Sequence, residues 1–500
     1  MDVLSIFSVG IAVAATTAAL THLLLFRNQR STVSYPPGPT VVSMPTDDAW
    51  VQYRNWGREY GELVYIRERN ILIINNSRVA IDLLEKRARI YSDRQMTTMS
   101  ELCGGELIIT FERYSNKWRR DRKLFQQNFR QAAMNRFHPA QYDKVHELLR
   151  NLITSPDKFR QHTLALSQRL IFAALYGLDI NPEDPLAQKA VKAAYLLGQT
   201  QISGTFPAIE KFSWLRLMPS WFPGCGFKRL AEQCLKDIKE VDAVLLDMTM
   251  DKMNAGLGTS LMAELATKSD RNVAEFESIK AMGTVSFLAA ADTTTAAISC
   301  FLLEMTLHPG AQAKGQEEID RVVGRDRLPT FEDRPSLPYV EAIYREVMRL
   351  NPSIPLGFAH TSFEDDFYHG YHIPKGCIVT PNIWAMNRDP DVYTAPDEFI
   401  PERFLDTPTG PFTSINDIYA FGFGRRVCVG RYMADNTVWM TIASVLATLT
   451  LRKAKDMEGN EIDIPEEYTS NFFRHPKPYR SSILPRDSHA QELILATVTR

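Results

Sequence analysis

Residues Phe421 to Gly430 read "FGFGRRVCVG", and this stretch limits the fold and chemistry of the chain more closely than any other. Three glycines and two adjacent arginines surround one thiol, Cys428. The run that follows, "RYMADNTVWMTIASVLATL", puts Val438, Ile442, Val445, Leu446 and Leu449 on one helical stripe, so Cys428 is expected at the mouth of a buried helix. A helix N-terminus offers unpaired N–H groups and partial positive charge, which favour thiolate. Glycines let a loop approach a flat ligand closely, and Arg426 suits a carboxylate on that ligand. The other five cysteines, at 103, 225, 234, 300 and 377, are too scattered for a disulfide scaffold or a CxxC zinc site. Reduced thiols facing the cytosol follow.

A thiolate held this way serves as a nucleophile or as a metal ligand. A nucleophile needs a general base, and no His, Asp or Glu lies between Asp417 and Asp435, so a cysteine hydrolase would need a base from elsewhere in the chain. Axial ligation of haem iron accounts for thiolate, glycine and arginine together.

Three further constellations precede the window. In "EVMR", Glu346 and Arg349 share a helix face, and "FIPERF" adds Arg403; one glutamate between two arginines would knot the helix to an irregular segment. In "FLAAADTTTAAISC", three alanines leave a smooth helix surface beside Asp292 and Thr293. A Thr293 hydroxyl bonded back to Ala289 would loosen the helical ladder, and an acid beside a hydroxyl can relay protons. In "WRRDR", Trp118 and Arg122 share a face and are both donors suited to a carboxylate, while Arg119, Arg120 and Lys123 form a solvated basic face.

Apolar periodicity predicts long helices over 141–176, 226–254 and 274–307, with short strands near 63–67, 71–75 and 377–383. The fold class is therefore mainly α with a small β portion. With 500 residues, 45% hydrophobic, 23% charged and a net charge of −2, the chain has ample core and lacks the charge of a nucleic-acid-coating protein. Val3 to Phe26 carries no Asp, Glu, Lys or Arg, is long enough to span a bilayer, and is followed by Arg27 and Arg30. Three parts are expected: a membrane anchor over 1–26, a linker over 27–39 with the stiff "YPPGP" hinge, and one domain over 40–500. The positive-inside bias places that domain in the cytoplasm.

In this order and behind an N-terminal anchor, "WRRDR", "AAADTT", "EVMR", "FIPERF" and "FGFGRRVCVG" resemble the microsomal cytochromes P-450 over nearly the whole chain. Similarity to fungal biosynthetic members runs through "IPEEYTSNFFRHPKP" and "NRDPDVY". Ala290 stands where the family often has Gly, and Val429 where many members have Pro. The resemblance implies the P-450 fold with haem b between two long helices and Cys428 as axial ligand of its iron. It implies Trp118, Arg122, His360 and Arg426 at the haem propionates, Glu346, Arg349 and Arg403 as a structural triad, and Asp292 with Thr293 as the proton path. It implies a monooxygenase of a lipophilic small molecule that uses O2 and electrons from NADPH through a separate reductase, in the endoplasmic reticulum membrane; the chain itself has no GxGxxG for flavin or nicotinamide. Basic residues Arg119, Arg120, Lys123, Arg425 and Arg431 would face that reductase. A tailoring step on a terpenoid, polyketide or indole is the leading expectation. A haem-thiolate isomerase or dehydratase, a xenobiotic-detoxifying oxygenase and a non-catalytic haem sensor are the alternatives. Substrate-contacting stretches are expected over 95–105, 201–222, 282–288, 354–358 and 470–473.

Overall fold

The computed structural model describes residues 34–40, 43–202, 204–269, 272–405 and 418–499. The anchor expected over 1–26 and the linker up to residue 33 lie outside the described residues.

Ten helices carry most of the architecture: α1 (Ala49–Tyr60), α2 (Asn116–Phe129), α3 (His138–Thr154), α4 (Phe159–Ile171), α5 (Pro185–Gln199), α6 (Phe227–Asn254), α7 (Val273–Leu307), α8 (Pro309–Val322), α9 (Pro338–Leu350) and α10 (Arg431–Thr448). The sheet portion is small. Strands β1 (Leu63–Ile66), β2 (Ile71–Ile74), β3 (His360–Thr361), β4 (Asp366–Tyr368), β5 (Tyr371–Ile373) and β6 (Ile378–Pro381) are followed by β7 (Leu449–Lys453) and β8 (Ser481–Pro485). They form a four-stranded sheet in the order β1-β2-β6-β3 and two two-stranded pairs, β4-β5 and β7-β8.

The expected helices over 226–254 and 274–307 are α6 and α7. The pattern over 141–176 is instead two helices and a wide-turned segment, Phe172–Tyr176. Ser155 before Pro156 leaves the helical region, at φ −144° and ψ 69°, because the proline ring crowds a helical residue ahead of it. The hinge "YPPGP" is also more than a spacer. The Tyr65 N–H donates to the Pro37 carbonyl at 2.9 Å, and the Tyr35 and Tyr65 rings stack at 5.5 Å. Any side chain at Gly38 would run into the Tyr65 carbonyl.

The longest helix, α7, starts where the Asn272 side chain accepts from the N–H groups of Ala274 and Glu275. Among the described residues it is the one helix long and apolar enough to cross a membrane, yet two thirds of its most apolar window is buried, as in a core helix. Ile279, Met282 and Val285 join one hydrophobic cluster, with α2, α5 and α6; Ile298, Phe301 and Leu302 join a second, with α3, α9 and α10. The stretch between them, Ala289 to Ala297, belongs chiefly to neither, and there the molecule opens into a cavity.

The irregular chain after α9 is held by one buried carboxylate. Glu346 is fully buried and accepts from Arg349 at 2.6 and 2.8 Å, from Arg403 at 3.0 Å and from the Ile400 N–H at 2.7 Å. Arg349 also donates to the carbonyls of Asn387, Pro396 and Glu398, and Arg403 to those of Thr394 and Ala395. Two side chains thus satisfy backbone acceptors that no regular element would. Replacing Glu346 with Ala would strand two guanidinium groups and cost about 3–5 kcal/mol. Thermal unfolding of the purified E346A protein should show this as a large fall in midpoint.

Candidate active site

One cavity gathers Cys428, the four expected haem-contact residues and Thr293; Asp292, Glu346, Arg349 and Arg403 are not among its lining residues. Its walls include Trp118 and Arg122 from α2, Ala289, Ala290 and Thr293 from α7, His360 from β3, and Arg426 and Cys428 from the loop before α10. The loop is shaped by glycine at a defined point. Gly424 has φ +57°, and a Cβ there would lie 2.0 Å from the Leu84 carbonyl oxygen. The backbone of the loop therefore lies directly on that of the segment around Leu84. The Cys428 N–H closes the turn onto the Phe421 carbonyl at 2.8 Å, and α10 begins three residues later.

The Cys428 side chain opens onto the cavity. Its deep position pushes the thiol up, against the Gly430 N–H and the charges of Arg122 and Arg431, which favour thiolate. Of these, the Gly430 N–H is the kind of group expected at a helix mouth and the two arginines are not; burial outweighs all three, so the free thiol is raised rather than lowered as expected. Among the described residues no carboxylate or imidazole acts on this sulfur, as a cysteine hydrolase would need.

Around the sulfur the charge is one-sided. Arg122 donates to the Val427 carbonyl at 2.6 Å, while its Nε is buried without a partner. Arg426 lies 4.3 Å from the centre of the Trp118 ring and donates to the carbonyls of Ser92, Ile109 and Glu112. Burial pushes both guanidinium groups down to about 10. A further arginine, Arg94, was not legible in "SDRQM". It is buried, donates to the Thr110, Phe358 and Ala359 carbonyls, and lines the same cavity. Its pKa is driven well down by burial and by the fields of Arg426 and Arg122, against the pull of Asp93. The signal lies in tertiary pairing: a single bridge between Asp93 and Thr361 sets Arg94 beside His360.

His360 is buried, and its Nδ1 lies 2.7 Å from the Tyr91 carbonyl oxygen, so Nδ1 carries the proton. Burial and Arg94 hold the ring neutral, which leaves Nε2 a bare acceptor. Among the predicted carboxylate contacts it is the one that cannot donate without taking up a second proton.

Three close, buried guanidinium groups need anionic partners. Of the nearby carboxylates, Asp93 accepts the Tyr114 N–H and Glu112 is paired with Lys117 at 2.8 Å. A flat ligand bearing two carboxylates, with an iron facing Cys428, fits this donor set, and haem b is such a ligand.

On the opposite wall the Thr293 hydroxyl donates to the Ala289 carbonyl at 2.9 Å, as expected, and the Ser353 hydroxyl donates to the Thr293 carbonyl at 2.9 Å. Asp292 beside it is mostly buried, which pushes its carboxyl up to about 6. Of the expected substrate stretches, Val285, Ser286, Ile354, Gly357 and Phe358 line the cavity, whereas 95–105, 201–222 and 470–473 do not. Phe472 packs edge-on behind Phe358 at 5.0 Å, and Ser100 is occupied by Thr200 and Gln201.

Two outcomes follow. Gly424→Ala should prevent the loop from closing on Leu84, read as loss of haem from the purified protein at unchanged expression. Asp292 titrates higher in the folded chain than in the unfolded one, so its contribution to stability is full below about pH 4 and is lost as pH rises through about 6. Asp292→Asn removes that loss. Its unfolding midpoint should gain on the parent between these pH values, by the equivalent of about 2–3 kcal/mol.

Comparison with known proteins agrees with this geometry. The family model for cytochrome P450 matches residues 37–483. Cytochrome P450 monooxygenase 208 of Postia placenta is 35% identical, over 97% of this chain and 96% of its own. The tryptamine 4-monooxygenase of Psilocybe cyanescens is 34% identical over 90% and 93%, and cytochrome P450 monooxygenase claR of Ampulloclitocybe clavipes 33% over 92% and 88%. A zebra fish cytochrome P450 solved with abiraterone superposes with a TM-score of 0.68, covering 88% of this chain and 100% of that one at 22% identity, which speaks for the fold. The chain belongs to the cytochrome P450 family and is a monooxygenase, an oxidoreductase.

Proposed function

We propose that this monooxygenase oxidises a neutral, lipophilic small molecule in a tailoring step of fungal secondary metabolism, taking electrons from an NADPH-dependent reductase at the endoplasmic reticulum membrane. The observation that carries the reading is that one cavity brings together Cys428, Arg94, Arg122 and Arg426 with Thr293, whose hydroxyl is bonded to the Ala289 carbonyl.

Cys428 would hold the haem iron, and Arg94, Trp118, Arg122 and Arg426 would hold the propionates. His360 would accept a hydrogen bond there, or donate one after protonation. The bound haem supplies the redox and O2 chemistry that amino-acid side chains lack. The Thr293 hydroxyl, bonded to Ala289, stands ready to pass a proton, and Asp292, with its carboxyl near 6, exchanges protons readily at neutral pH. Glu346, Arg349 and Arg403 would keep the loop carrying Cys428 in place.

The substrate class follows from the lining. Phe125, Phe129, Leu170, Ile171, Val285 and Phe358 are apolar, and among the described lining residues none is acidic. A protonated amine would find no counter-charge there, which favours terpenoids and neutral polyketides over indole amines even though one relative is named for tryptamine. Membrane association is supported by the apolar run Val3–Phe26 and by the exposed Phe212, Trp214, Leu217 and Trp221. Arg119, Arg120, Lys123 and Arg425 are exposed and would present the reductase with positive charge; Arg431, partly buried, adds to it.

Microsomes carrying the full chain and a reductase test the reading. Titration with neutral terpenes and polyketide aromatics should shift the haem absorption band toward high spin, whereas protonated indole amines should leave it in place. NADPH should then drive incorporation of one oxygen atom from labelled O2. A shift with amines alone would overturn the substrate class. Folded protein without haem would overturn the assignment of Cys428.

A further inference from the structure

Among the described residues no lysine or arginine pairs with the mostly buried Asp292. The nearest basic side chain is His475, whose Nε2 lies 4.0 Å from the Asp292 Oδ1. This is too long for a direct hydrogen bond and within reach of a one-water bridge or a small side-chain rotation. Each side chain is about one-fifth exposed, and beyond the buried Pro476 the chain reaches the exposed Lys477 and Pro478.

The placement of His475 is over-determined. Its N–H donates to the Thr469 hydroxyl at 3.0 Å, and its carbonyl accepts the Thr469 N–H at 2.8 Å. The preceding N–H, of Arg474, donates to the Ser353 carbonyl at 2.9 Å. The Ser353 hydroxyl donates in turn to the carbonyl of Thr293. These bonds tie the backbone that carries His475 to the Thr293 turn of α7, and so hold the imidazole 4.0 Å from Asp292.

We propose that His475 is a positioning residue of the proton path, the station through which protons pass between solvent and Asp292. This role presupposes that Asp292 and Thr293 deliver protons in the cavity. The step is a proton transfer only: a solvent hydronium gives its proton to the ring nitrogen that carries none and leaves as water, the imidazolium passes the Nε2 proton to the Asp292 carboxylate, and neutral imidazole remains. The charged groups facing His475 are Asp292 from α7 and Arg160 from α4. Burial, with help from Arg160, holds the ring down to about 4, while burial lifts Asp292 to about 6. A proton arriving on the ring therefore runs downhill to the carboxylate, and the relay points inward.

The test needs no identified substrate. In reductase-containing microsomes, NADPH-driven reduction of O2 divides between hydrogen peroxide, which takes two protons, and water, which takes four. In haem-loaded His475→Gln, the peroxide share should rise roughly twofold or more, and the solvent deuterium isotope effect on NADPH oxidation should grow. A second readout is independent of turnover. In purified holoprotein labelled with 13C-aspartate, at about pH 5, the carboxylic-acid infrared band that Asp292→Asn removes should shift in H475Q. If the product split, the isotope effect and the band are all unchanged, His475 has no part in the path. If H475Q does not hold haem, Arg160→Gln replaces it. Removing that cation should move the pH at which the peroxide share rises by about half a unit to the alkaline side, and no movement would overturn the proposal. D292N separates the two layers: if it leaves the product split unchanged, the Asp292–Thr293 path itself fails, whereas an effect in D292N without one in H475Q removes only His475.

Discussion

The fully buried carboxylate of Glu346 is the constraint on which the catalytic end of the molecule depends. The chain from Asn387 to Phe404 forms no extended ladder, and its carbonyls would be costly to bury unpaired. Arg349 and Arg403 meet several of them at once, and each can do so only because Glu346 neutralises and orients it. One acid against two cations leaves a net positive charge, spread over backbone oxygens rather than over another side chain. An irregular segment is thereby fixed to α9.

The same economy of charge explains the cavity. Arg94, Arg122 and Arg426 are buried close enough to weaken one another, and the carboxylates beside them are engaged elsewhere. A fold that keeps such a cluster sacrifices stability unless an anion completes it. Beside the wall residue Thr293 the imbalance is reversed: Asp292, outside the lining itself and mostly buried, has no cation in hydrogen-bond contact among the described residues, and its carboxyl rises to about 6. The molecule thus holds surplus positive charge where carboxylates would dock and a proton-retaining acid where protons would be consumed.

Much of this was legible in the residues because it is local. The helix entrance after Cys428, the bond from Thr293 to Ala289 and the shared face of Trp118 and Arg122 depend on spacing within one element, and the structure reproduces them. Glu346 and Arg403 come from different segments, yet the motif order was enough to pair them. Arg94 was not legible, because its burial follows from the pairing of Asp93 with Thr361, and a lone "DR" reads as surface charge. The stretch over 470–473 was misplaced for a related reason: an aromatic pair can line a cavity or back the residue that does, and Phe472 stands behind Phe358. The break at Ser155 was written in Pro156, but apolar periodicity continued across it.

Glu346, fully buried, and Asp292, about one-fifth exposed, are two acids of one domain with opposite surroundings. Glu346 accepts from two guanidinium groups and a backbone N–H, an arrangement that holds a fixed charge. Asp292 faces one imidazole at 4.0 Å, which is itself held neutral by burial. A saturated carboxylate cannot exchange protons without breaking several strong bonds, whereas one left short of partners exchanges them at little cost. The difference in coordination separates an acid that holds the fold from an acid free to move protons. It also gives a physical reason for the sparse surroundings of Asp292: a closer cation would stabilise the protein and silence the group.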